Sequence, residues 1–163
     1  MGRTMVLSAI LFLSFGMLLH AKDDGFTGKW VLDKGSPKSG DVPNNLQTRI
    51  KEDGTNVTFE NTFREPENGV VPLLYLGLMT THLRLGTDGQ EQQNTIGPFQ
   101  MASKTIVDGK EMQTDWTATI QGDHVQGHWT HRLSDDGKHM TWEIKQSSAQ
   151  GQEREATLHF VRK

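Results

Sequence analysis

Apolar and polar residues alternate over short stretches separated by Gly- and Asp-containing turns, from about residue 26 to the C-terminal end of the chain. A period of two marks half-buried β-strands, and helical periodicity is scarce. The pattern predicts strands over residues 26–33, 46–52, 56–63, 82–86, 101–107, 111–120, 125–133, 138–146 and 156–162. Turn signals separate them at Asp53-Gly54, Asp88-Gly89, Asp108-Gly109, Gly122-Asp123 and Asp135-Asp136-Gly137. Asp-Gly pairs favour tight hairpins because both residues tolerate positive φ. The fold class expected is all-β, an antiparallel up-and-down barrel or a sandwich.

Parity along each strand assigns the buried face. Phe26, Gly28, Trp30 and Leu32 share one side, as do Trp116, Ala118 and Ile120. The same holds for Val125, Trp129, His131 and Leu133, for Met140, Trp142 and Ile144, and for Leu158 and Phe160. The opposite faces carry Thr, Gln, Lys and Glu, as a solvated surface does. A four-residue loop at 134–137 pairs Leu133 with Lys138 and sets Trp129 opposite Trp142. A four-residue loop at 121–124 pairs Ile120 with Val125 and sets Trp116 opposite Trp129. The three indoles are thus expected in one direct cross-strand row, each such pair adding ~0.2–1 kcal/mol.

Three stretches break the strand pattern. Residues 1–21 read as a secretory signal peptide: Arg3 gives a positive start, an apolar run follows from Met5 to Leu19, and Gly16 and Ala21 offer small residues for cleavage. A short uncleaved anchor is the competing reading, but the run falls below the ~20 apolar residues that span a bilayer. Residues 34–45 contain Pro37 and Pro43 with Gly35 and Gly40, an extended loop. Residues 66–81 include the apolar run Leu73 to Met79, which fits a buried strand, a short helix plugging a barrel end, or a flap over a cavity. The expected organisation is therefore a signal peptide at 1–21 and one domain at 22–163, secreted or periplasmic, with no stable membrane span in the mature chain.

Composition narrows the function. The chain has 163 residues, 34% hydrophobic and 23% charged, with no cysteine, which excludes disulfides, thiolate catalysis and Cys-based metal sites. A net charge of −3, one unit more negative once Arg3 is removed, argues against nucleic acid as a partner. No Gly-x-Ser-x-Gly elbow, P-loop, His-Glu-x-x-His helix or dinucleotide fingerprint occurs, so the sequence nominates no catalytic residue and no cofactor. His124 and His128 face one way on a strand and His131 the other, so the three do not converge on a metal. His139 is expected with His128 on the outer face and Glu143 opposite His128, with Arg132 also outward.

The segment Phe26-Thr27-Gly28-Lys29-Trp30 resembles the Gly-x-Trp opening of lipocalins and related calycin barrels. The stretch from Ser134 to Thr141 and that from Ser148 to Gln152 are similar to small exported lipocalin-like domains of bacteria. The resemblance implies a barrel of about 8–10 strands whose interior holds a small hydrophobic or amphipathic molecule or is simply full. It also implies that Trp30 closes one end, with Arg162 packed across the indole in a cation–π contact. The family's paired cysteines are absent, and no helical lid follows the first strand. Together with parity, this nominates Trp116, Trp129, His131, Met140, Trp142, Ile144 and Phe160 as the ligand-binding wall, with Leu73 to Met79 at the mouth. The rival reading is a filled barrel acting through its surface on an envelope protein or glycan, and a barrel enzyme ranks below both.

Overall fold

The computed structural model describes residues 25–36, 44–64, 82–96 and 98–163. They form ten strands: β1 (Gly28–Leu32), β2 (Asn44–Asp53), β3 (Asn56–Arg64), β4 (His82–Gly86), β5 (Asp88–Ile96), β6 (Phe99–Asp108), β7 (Glu111–Ile120), β8 (Asp123–Leu133), β9 (His139–Ser148) and β10 (Glu153–Arg162). The sheet order is β4-β3-β2-β1-β10-β9-β8-β7-β6-β5 and every neighbouring pair is antiparallel. The edge strands β4 and β5 share no ladder, but they meet at Gly86, whose missing side chain leaves room for the Gln92 amide. The result is an up-and-down, nearly closed barrel. No helix among the described residues is long and apolar enough to cross a membrane.

Alternation sets the inward faces. On β7 every even-numbered residue from Met112 to Ile120 is buried and every odd-numbered residue from Gln113 to Thr119 is exposed. One continuous core results, in which Trp30, Trp129, Trp142, Phe59 and Phe160 are each less than 2% exposed.

Strand directions define two ends. One gathers residues 25–27, the turns at Gly54, Gly109 and Gly137, and Arg162 near the C-terminus. The other gathers residues 33–36, the turn at Gly122 and the loop at Gly151. The strand ends flanking 37–43 and 65–81 also lie there. The expected signal peptide and the run Leu73 to Met79 fall outside the described residues, as does most of the Pro-rich loop.

Two expectations need correction. The Asp88-Gly89 turn is instead the start of β5, with a register shift between Asp88 and Glu91. The strand was invisible because Asp88–Ile96 holds no apolar residue before Ile96. The hairpin registers are also two residues away from those expected. Ile120 pairs with Asp123 around the two-residue turn Gln121-Gly122, with φ of 52° and 86°. Two successive positive φ values make the type I′ turn that matches strand twist. At the next hairpin Leu133 pairs with Met140, not Lys138. There the Asp136 carboxylate accepts from the Lys138 amide at 3.0 Å and draws that residue into the turn.

Trp116 therefore pairs with Gly127, Trp129 with Ile144, and Trp142 with His131. A shift of two preserves the face. The indoles still meet, now diagonally: Trp116 and Trp129 centroids lie 5.4 Å apart, Trp129 and Trp142 6.0 Å. Gly127 makes this possible, since a Cβ there would overlap the Trp116 ring lying across it. Gly127→Ala is expected to lower stability by about 1–3 kcal/mol, read as a drop in the thermal midpoint. An unchanged midpoint would show that the indole does not lie over Gly127.

Candidate functional site

The end that holds the N-terminal residues is sealed. Trp30 pairs across strands with Arg162, whose guanidinium carbon stands 4.5 Å from the Trp30 ring centroid. Arg162 donates from Nη2 to the Gly25 carbonyl at 2.6 Å and from Nη1 to the Thr27 carbonyl at 3.1 Å. The Trp30 indole donates to the Phe26 carbonyl at 2.8 Å. Gly28, at φ 151°, occupies backbone space open chiefly to glycine, which accounts for the first position of the Gly-x-Trp motif. Planar cation, ring and three backbone carbonyls form a plug built from residues 25–27, the first strand and the end of the last.

Above the plug the inward faces of β3, β8, β9 and β10 bring together an aromatic cluster. Trp142 lies 4.3 Å from His131, 6.0 Å from Phe59 and 6.4 Å from Phe160, centroid to centroid, and Phe59 lies 5.3 Å from His131. All seven wall residues named from the sequence (Trp116, Trp129, His131, Met140, Trp142, Ile144 and Phe160) are buried, at 0–2% exposure. Beyond them, toward the opposite end, the inward positions of β7 to β10 hold the short side chains of Ala118, Val125, Ser148 and Ala156 together with Ile120 and Gln146, and the Trp116 ring fills the space over Gly127.

Polar groups inside the barrel fall into two sets. Thr105 and Thr114 hydroxyls pair at 2.9 Å, and the Asn94 amide donates to Ser103 at 2.7 Å. By contrast, both ring nitrogens of His131, the indole nitrogens of Trp116 and Trp142, and the Thr48 hydroxyl are buried without hydrogen-bond partners. Full burial pushes the His131 imidazole down to about 3, so it is neutral at physiological pH. Sequence parity placed His131 inward; its lack of any partner was not legible, because that depends on side chains from distant strands.

The outer face carries a different feature. A groove of about 650 Å³ crosses β5 to β10 beside the directly paired row Glu91, Lys104, Asp115, His128, Lys145 and Glu155. This corrects the expected outer cluster: His128 pairs with Lys145, and Glu143 stands opposite Thr130. His128 Nδ1 contacts the Asp115 carboxylate at 2.7 Å, and Nε2 lies 3.1 Å from the Thr130 hydroxyl. Acid, imidazole and hydroxyl are in line, but Thr130 is only 4% exposed, so substrate has no access to its oxygen. Arg132 is outward and bridges Glu111 and Glu143. Among the described residues no three His, Asp or Glu side chains converge as a metal site.

The fold recurs in solved structures. A protein described as REP1-NXSQ fatty acid transporter superposes with a TM-score of 0.55 at 17% identity, over 84% of this chain and 95% of the other. A secretory abundant heat soluble protein from Ramazzottius varieornatus gives 0.56 at 10% identity, over 85% and 95%. Heat soluble protein 4 of the same organism gives 0.50 at 14%, over 84% and 94%. These likenesses establish the fold, a nearly closed up-and-down antiparallel barrel. No family model and no curated protein matches the chain.

Proposed function

We propose that residues 22–163, exported after removal of the signal peptide at 1–21, bind a small hydrophobic or amphipathic molecule inside the barrel by burial and shape. The observation that carries this reading is the asymmetry of the interior. One end is plugged by Trp30 and Arg162, whereas toward the other the short inward residues Ala118, Val125, Ser148 and Ala156 stand among Ile120 and Gln146 on β7 to β10. In this reading the apolar tail lies against Trp116, Trp129, Met140, Ile144 and Phe160, and its inner tip reaches His131 and Trp142. The fatty acid transporter with the same fold supports the reading. The absence of an accessible nucleophile beside the one acid–imidazole pair in the described residues favours carriage over catalysis. The outer groove along Asp115 and His128 favours a second reading, a filled barrel that works through its surface.

Native mass spectrometry of protein purified from its own host separates the two. Carriage predicts a mass excess that disappears after organic extraction. Protein of bare mass in every preparation would favour the surface reading.

A further inference from the structure

We propose that the bound molecule is uncharged and carries a single hydroxyl or carbonyl group, which hydrogen-bonds inside the barrel to His131 and the Trp142 indole. The inference rests on the carriage reading above and narrows it to a ligand class.

Two observations converge on it. First, His131 and Trp142 face each other at 4.3 Å between centroids, both fully enclosed, with three nitrogens between them and no partner for any of the three. Buried polar atoms are nearly always paired, and an unpaired set inside a barrel marks the place of a group that pairs with them. A neutral imidazole offers one donor and one acceptor, and the indole adds a second donor. A hydroxyl accepts from the indole N–H and pairs with one imidazole nitrogen, as donor or as acceptor; a carbonyl accepts from either N–H.

Second, the described inward surface has no cation to hold an anion. Its buried polar residues are Thr48, Asn61, Ser103, Thr105, Thr114 and His131, all uncharged at neutral pH. Arg162 is at the plug, stacked on Trp30 and bonded to two carbonyls. Arg154, which shares the parity of Ala156 and Leu158, is exposed at the opposite end. A carboxylate brought to His131 would be stripped of water with no counter-charge, which is far costlier than burying a hydroxyl that is hydrogen-bonded.

The test compares three compounds of one chain length, tetradecan-1-ol, tetradecanoate and tetradecane, at pH 8 by displacement of the neutral dye Nile red. The expected result is binding of the alcohol about 100-fold tighter than the carboxylate and about tenfold tighter than the alkane. In His131→Phe, with folding confirmed by near-ultraviolet circular dichroism, the ratio of alcohol to alkane affinity falls from about ten to about one. Tetradecanoate binding as tightly as the alcohol would overturn the inference and leave the carriage reading standing. Alcohol and alkane binding equally would overturn the polar contact. Binding of none of the three would overturn the carriage reading itself, and the inference with it.

Discussion

Trp142→Ala is expected to destabilise the domain by about 3–5 kcal/mol, a large share of the roughly 5–15 kcal/mol that holds a domain folded. The ring is 1% exposed and packs at once on Trp129, His131, Phe59 and Phe160. Those partners sit on β3, β8 and β10, so one truncation opens a void where both sides of the barrel meet. The rings around it are held by their own strands and cannot collapse far into the space, which places the cost at the upper part of the range. Urea unfolding should show a lower midpoint with little change in slope, or a chain already unfolded in buffer. A loss under about 1 kcal/mol would mean that the interior is loosely filled at this level.

Acid should weaken the fold through His131, and the sign is fixed by its burial. In the unfolded chain the imidazole titrates near its ordinary value of 6.5, whereas in the folded barrel burial holds it down to about 3. Below 6.5 the unfolded state therefore binds a proton that the native state does not. The His131 contribution is intact above pH 6.5 and is lost by about 1.4 kcal/mol per pH unit as pH falls from there toward 3. Outward carboxylates also lose stability in acid, since Lys51 holds Glu60 below its usual range and Gln113 with Arg132 does the same for Glu111. Those losses are common to the wild type and His131→Phe, so the difference between the two proteins isolates the histidine. The variant should match or exceed the wild type at pH 7.5 and gain on it by about 2–3 kcal/mol at pH 4.5. Parallel acid profiles would show that His131 has a solvent-accessible nitrogen.

The same residue illustrates what the sequence can and cannot disclose. Parity alone put His131, the three central indoles and Phe160 on the inward face. It also put Arg162 on the face of Leu158 and Phe160, where it meets Trp30. Registers were less legible, because they depend on backbone detail: a positive φ at Gln121 shortens one turn, and the Asp136 carboxylate lengthens the next. Both errors were of two residues, so every inward assignment survived while the cross-strand partners changed. Strand β5 was hidden for a different reason. Its inward positions before Ile96 are Gln92 and Asn94, which pack on Gly86 and bond to Ser103, so its place in the sheet is set by neighbours and not by apolar alternation. The charged row through Asp115 and His128 needed correct registers on six strands. No local signal could have supplied them.

The most direct test of the account is a ¹H–¹⁵N spectrum of the four tryptophan indole groups, recorded while tetradecan-1-ol is added. Trp30, whose indole proton is already donated to the Phe26 carbonyl at the sealed end, serves as the internal control. Carriage in the barrel predicts that the Trp142 signal moves most, that Trp129 and Trp116 follow, and that Trp30 stays in place. Shifts confined to the backbone amides of Asp115, His128 and Lys145, with all four indoles unmoved, would contradict it and place binding on the outer groove.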